Sequence, residues 1–213
     1  VVMSWKRERG VGGEPMLRAL LEIQDELERE LCVEEVPVAA RGRSNSLAME
    51  ACQRLGFEGH YMRRYVRGCE GRGQCLQGCR AGRKQSLNVS YVPETRQRGG
   101  TVVSCAPVER VLFDGTRAIG VEGSFRDPQA RTRGAAFRVR ARRGVLLAAS
   151  VVYTPLILHR SRVRPRALGE HFRAHPGVPL FGVYDHPIDM NTGTTQGWAS
   201  LAFRDEPGFK LEV

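Results

Sequence analysis

The stretch from Gly99 to Val163 constrains this chain most. In it a strand-like periodicity runs into V-L-L-A-A-S (Val145 to Ser150) and then at once into T-P-L-I-L (Thr154 to Leu158). A buried strand that closes on small residues and turns into a helix lets a ligand approach the backbone closely, as dinucleotide-binding folds require. Upstream of that turn, T-V-V-S-C (Thr101 to Cys105), V-E-R-V-L-F (Val108 to Phe113) and R-A-I-G-V-E-G-S-F (Arg117 to Phe125) read as strands. The D-G-T turn at Asp114 to Thr116 predicts that the last two form a hairpin. After D-P-Q-A-R-T-R-G, the run A-F-R-V-R-A-R alternates apolar and charged residues, as an edge strand wet on one face does. V-L-L-A-A does not alternate, so it is expected to be buried on both faces as a central parallel strand.

The first half of the chain reads as helix and loop. Pro15 suits a first helical turn, and Leu17, Leu20, Leu21, Leu27 and Leu31 fall on one face, predicting an amphipathic packing helix over Pro15 to Leu31. A polar loop, A-A-R-G-R-S-N-S, leads to a second helix from about Ser46 to Leu55, stopped by Gly56 as a left-handed cap. Beyond a Gly/Cys loop from Gly68 to Gly82, Arg83 to Thr95 is a candidate helix whose N-terminal end would favour an anion.

At 213 residues the chain can bury a real core, as one large domain or parts of two. No apolar run approaches the roughly 20 residues needed to cross a bilayer, and V-V-M-S-W-K-R has neither signal-peptide nor transit-peptide character, so a soluble, cytoplasmic protein is expected. The net charge is +10, but 30 of the 33 basic residues are Arg, a bias of coding composition rather than of selection for phosphate contacts. Residues 14 to 60 carry 10 acidic and 5 basic side chains, whereas residues 61 to 150 carry 18 basic and 6 acidic. A solvated or internally paired face is the expectation, and with no RNA-binding aromatic motif, helix-turn-helix pattern or zinc-finger spacing beside it no nucleic-acid partner is expected. A basic module that grips a polyanion is the alternative.

Cys69, Cys75 and Cys79 cluster as C-E-G-R-G-Q-C-L-Q-G-C, with no evident fourth ligand nearby. Structural zinc sites use closer pairs, so a Gly-rich turn with packed thiols is expected, and a metal-binding interaction domain remains the alternative. His171 and His175 would share a helix face if a helix formed there, but Pro176 and Gly177 follow directly, and both are read as structural.

Four segments in order carry a resemblance: C-x-x-G-C-x-x-G-R-K-Q-S; G-G-T-V with V-E-R-V-L-F-D-G-T-R-A-I-G-V-E; V-L-L-A-A-S with T-P-L-I-L-H-R-S; and L-G-E-H-F-R-A-H-P-G. Together they resemble the glucose-methanol-choline (GMC) family of FAD-dependent oxidoreductases, most specifically over residues 60 to 180. The resemblance implies an α/β chain: a partial FAD-binding domain of Rossmann-like mixed-sheet type over residues 1–177, and the start of an α+β substrate domain over residues 178–213. It also implies oxidation of a small-molecule alcohol by hydride transfer to FAD. The strand containing Val108 would lie beside the adenine, and the turn Ala148, Ala149, Ser150 would pass close to the cofactor. Thr154 and Pro155 would open the following helix.

The departures from the family pattern bound that reading. Neither the strand with its G-x-G-x-x-G loop nor the catalytic histidine of the family is found, so the chain is expected to be an internal fragment, inactive alone, with no catalytic residue assigned. Arg162 stands where the family commonly has Gly, and a positive φ there would cost on the order of 1 kcal/mol.

Overall fold

The computed structural model describes residues 2–213. It divides into two compact units: residues up to Gly100 together with Gly182–Val213, and Thr101–Phe181. The architecture is mixed α/β, and every pairing within its three small sheets is antiparallel. Among the described residues no helix is long and apolar enough to cross a membrane.

In the first unit, α1 (Val2–Arg9) and α2 (Glu14–Glu30) lead to β1 (Val33–Glu35), a 3-10 turn over Val38–Ala40, and α3 (Gly42–Leu55). Then come β2 (His60–Tyr61), β3 (Arg63–Tyr65) and α4 (Tyr91–Gln97). α2 begins with Pro in its first turn, as the sequence predicts. Its apolar face packs only at its ends: Leu17 and Leu31 are half-buried, whereas Leu20, Leu21 and Leu27 are exposed. α3 ends on Gly56 at φ 71°, the expected left-handed cap, but starts at Gly42 and so takes in half of the expected polar loop.

The expected helix over Arg83 to Thr95 reduces to α4. Ser86 Oγ donates to Asn88 Oδ1 (2.7 Å) and Ser90 Oγ donates to the Ser86 carbonyl (3.1 Å). These short polar side chains hold a turn where a helix would have needed their backbone.

In the second unit, β4 (Val108–Asp114), β5 (Arg117–Arg126) and β6 (Arg133–Arg140) form an antiparallel meander in the order β4-β5-β6. The Asp-Gly turn makes the β4–β5 hairpin, with Asp114 opposite Arg117 and Gly115 at φ 56°. α5 (Ser150–Arg160) packs on β4, burying Ile157 and Val111.

Two expectations fail in this unit. Thr101 to Cys105 is not a strand. Val145 to Ala149 is not a central parallel strand: Leu146 is 93% exposed, and among the described residues no strand lies beside it. A strand without neighbours has nothing to satisfy its backbone. His171 and His175 lie in irregular chain, so no helix face brings them together.

The remaining strands, β7 (Trp198–Ser200) and β8 (Leu211–Glu212), belong to the first unit, where the sheet order is β2-β7-β8.

Candidate functional site

The turn at Ala148 to Ser150 is built by its own backbone and by α5. Ala149 precedes the helix, and its N–H donates to Thr154 Oγ1 at 3.0 Å. Thr154 is therefore not the residue before the helix but one turn inside it, reaching back. Pro155 likewise stands in the helix interior instead of its first turn. Ser150 takes φ 71°, a left-handed conformation for a residue with a Cβ, and its Oγ accepts the Tyr153 N–H at 3.5 Å. Ala148 and Ser150 are exposed and Ala149 is half-buried. The first backbone N–H groups of α5 thus follow an open, small-residue turn, which is the geometry that admits a ligand to the main chain.

Val108 begins β4, is half-buried and sits opposite Gly123. β4 is an edge strand, and its Val111 N–H donates outward to Ser161 Oγ at 2.8 Å, just past the end of α5. Ser161 Oγ in turn donates to the Ile157 carbonyl at 2.6 Å, so β4 and α5 are fixed to each other. Among the described residues, no hydrogen bond joins Val108 to Ala148, Ala149 or Ser150. Val108 on an edge strand and the open turn at Ala148 to Ser150 are thus carried on one β4–α5 pair.

α5 ends in a Schellman motif. Val163 N–H donates to the Leu158 carbonyl (3.0 Å) and Arg162 N–H to the His159 carbonyl (3.1 Å). Arg162 occupies the left-handed position at φ 62°, the strain expected from the sequence.

A second constellation, in the first unit, escaped the sequence reading. Asn191 to Trp198 threads between the Gly/Cys loop and the start of α3. Gly193 N–H donates to the Gly71 carbonyl (2.6 Å), and Gly73 N–H donates to the Gly193 carbonyl (2.8 Å). Thr194 Oγ1 donates to the Ala40 carbonyl (2.8 Å) and lies 3.6 Å from Cys69 Sγ. Asn45, 1% exposed, donates to the Thr194 carbonyl (2.8 Å) and to that of Arg41.

Asn45 Oδ1 and Trp198 Nε1 are buried with no partner among the described residues, and buried Thr195 Oγ1 has only the Cys75 thiol facing it. Burial pushes the Cys75 thiol up. The Thr195 hydroxyl and N–H facing it, with the Arg64 guanidinium, outweigh that and hold it below the ordinary thiol range. The Arg83 and Arg72 guanidiniums hold the Glu70 carboxyl below the usual carboxylate range and tie the loop together. The one sequence signal was the density of glycine in G-C-E-G-R-G and N-T-G-T-T-Q-G.

For the metal-binding alternative, no group of three His, Cys, Asp or Glu side chains among the described residues could hold an ion, and all six thiols are free. All five histidines are exposed; His186 Nδ1 lies 2.7 Å from Asp185 and His171 Nε2 3.8 Å from Glu170.

The model of the GMC oxidoreductase family matches residues 1–177. An uncharacterized GMC-type oxidoreductase of Mycobacterium tuberculosis (strain H37Rv) is 31% identical over 218 residues, covering 100% of this chain and 33% of its own length. An uncharacterized GMC-type oxidoreductase of Sinorhizobium fredii is 29% identical over 151 residues, or 70% of this chain and 29% of the relative. An oxygen-dependent choline dehydrogenase of Pseudomonas putida (strain KT2440) is 39% identical over 90 residues, or 42% of this chain and 15% of the relative. The chain spans about a third of the length of the first two of these curated relatives, or less. No solved structure matches.

Proposed function

Because this chain belongs to the GMC oxidoreductase family, we propose that it forms the adenine-side wall of an FAD site in an enzyme that oxidises a small-molecule alcohol. Residues 1–177 match the family's FAD-binding domain, so FAD is the cofactor. When bound, FAD would supply the hydride-accepting chemistry for such an oxidation. In this reading the outward backbone of Val108 hydrogen-bonds the adenine edge. Ala148, Ala149 and Ser150 keep side-chain bulk away from the cofactor, while the free N–H groups at the start of α5 donate to its oxygens. The relative named as a choline dehydrogenase supports a small alcohol as substrate.

In this reading the FAD-binding domain is Rossmann-like and residues 178–213 are the start of a substrate domain. The 213 residues alone hold FAD weakly and do not turn over substrate. The observation that carries this reading is the family match across residues 1–177, with the exposed small-residue turn at Ala148 to Ser150 inside it.

Two measurements test it. Adenosine diphosphate added to isotope-labelled protein is expected to shift the backbone amide resonances of Val108, Ala149 and Ser150. Shifts confined to other regions would remove the adenine assignment. An absorbance spectrum of the purified chain is expected to lack stoichiometric flavin bands, and a yellow protein at near-full occupancy would overturn the statement that this wall alone is insufficient.

A further inference from the structure

We propose that the free edge of β6 docks an extended acidic segment of a partner protein, one in which Asp or Glu alternates with apolar residues, as a fourth strand of the β4-β5-β6 sheet. β6 is the last strand of that sheet, and among the described residues its outward backbone groups make no hydrogen bond. A row of free N–H and C=O groups is a template for strand addition unless something blocks it. Over Ala136 to Arg140 nothing in the backbone of β6 does, the one register shift lying between Ala136 and Arg133. The strand contains no proline, and its pairing with β5 is regular from Arg140 opposite Gly120 to Ala136 opposite Ser124.

The side chains decide what can be added. Arg138 and Arg140 stand on one face and Phe137 and Val139 on the other, with Val139 56% exposed. Arg138 Nη2 reaches Glu122 at 2.9 Å, but that carboxylate is shared with Arg110. Arg140 faces Gly120, which has no side chain to offer, and makes no ion pair among the described residues. Arg142 lies in the bend just past the end of β6, and the Arg117 guanidinium donates to its carbonyl at 3.5 Å, so two more positive charges stand near this end of the edge. A strand laid along this edge therefore meets arginines on one face and apolar side chains on the other.

A second copy of β6 is a poor occupant, because it sets arginine against arginine, and like charges directly opposite are destabilising. A nucleic acid would engage the arginines yet leave the free backbone and Val139 unused. An acidic strand already lies beside a basic one inside the molecule: β1 (V-E-E) runs antiparallel to β3 (R-R-Y), with Glu34 in register with Arg64 and Glu35 with Arg63, although Arg63 forms its ion pair with Glu28 and Glu35 forms its own with Arg41. The outer edge of β6 lacks only such an acidic strand.

The test uses the full 213-residue protein and a fluorescein-labelled peptide, as long as β6, that alternates Glu with Val or Thr. Controls are a peptide of identical composition with its glutamates in one block, a peptide with Lys in place of Glu, and double-stranded DNA. Anisotropy is expected to show saturable binding of the alternating peptide, weaker at high ionic strength, with slowed amide exchange over Ala136 to Arg140. Arg140→Glu is expected to weaken binding about tenfold or more. The double variant Arg140→Glu/Arg142→Glu is expected to bind the lysine peptide instead, which a merely unfolded variant would not do. Absence of saturable binding, equal binding of the blocked peptide or of DNA, or an affinity unmoved by Arg140→Glu would each overturn the proposal. Any of these outcomes would leave the arginines as an edge that only discourages self-pairing.

Discussion

Around Gly193 and around Leu146 the chain treats extended backbone in opposite ways. At Asn191 to Trp198 the backbone is taken up from both sides, by the Gly71 and Gly73 main chain and by Ala40 and Asn45 at the head of α3. From Gly144 to Ala148, no backbone group is hydrogen-bonded among the described residues, and Leu146 is 93% exposed. The first region is complete within the chain because its glycines let three segments touch at backbone distance. The second has the composition of an inner strand without the neighbours that would make it one. Composition sets what a segment is suited to be, and partners decide whether it becomes that.

The largest expected effect breaks the first region. An added Cβ at Gly193 would lie 2.5 Å from Gly42 Cα and 2.8 Å from the Arg41 carbonyl oxygen, at φ 91°. Backbone meets backbone there, so no side chain can yield. Gly193→Ala is expected to cost roughly 4 kcal/mol or more in equilibrium urea unfolding, whereas Gly144→Ala, with open space around it, should stay within about 0.5 kcal/mol. Equal costs would mean that the two regions are not packed differently at all.

Asn45→Ala sharpens the same contrast at a smaller scale. It leaves the Thr194 and Arg41 carbonyls without the Asn45 donor in a buried place, and a loss of about 2 kcal/mol is expected. A loss below experimental error would mean that water serves those carbonyls instead.

Legibility in the sequence followed the range of the interaction. The Gly56 cap, the Asp-Gly hairpin and the strained Arg162 each depend on a few adjacent residues, and each stands where the sequence places it. Gly42, Gly71 and Gly193 are far apart in the chain, so nothing local announces that they meet. Val145 to Ala149 misled for the converse reason: its residues are right for a buried strand, but strand formation is a property of the pair. Val108 came from the family pattern alone, whereas the small-residue turn at Ala148 to Ser150 already stood out in V-L-L-A-A-S. The Cys75 environment could not be anticipated, since Thr195 and Arg64 approach that thiol only in the fold.

Arg162 offers a gain instead of a loss. With its φ at 62° in the Schellman motif, Arg162→Gly relieves the Cβ conflict and is expected to stabilise the protein by about 1 kcal/mol. Thermal and urea unfolding should both move upward, and a loss would show that the Arg162 side chain makes up for its strain.

Thr195→Val should change stability by less than about 1 kcal/mol, because its buried hydroxyl has no other partner. Its effect belongs to the Cys75 thiol. With the hydroxyl gone, burial counts for more, the thiol moves up, and alkylation by iodoacetamide should need higher pH than in the parent. An unchanged pH profile, read by mass spectrometry at Cys75, would mean that the Arg64 guanidinium sets this thiol's acidity without help from Thr195.

The smallest effect is the most telling for the open region. If Leu146 packs against nothing within these residues, Leu146→Glu removes no buried area and should shift unfolding by less than about 0.5 kcal/mol, whereas Ile157→Ala, buried on the β4 side of α5, should cost about 2–3 kcal/mol. The same Leu146→Glu change should lower self-association at high protein concentration, because it places a charge on an exposed, unpaired apolar segment. A cost at Leu146 comparable to that at Ile157 would show that Val145 to Ala149 is buried in solution. The contrast with Gly193 would then collapse: both regions would be completed from within the chain, and the open turn proposed for the cofactor would be closed.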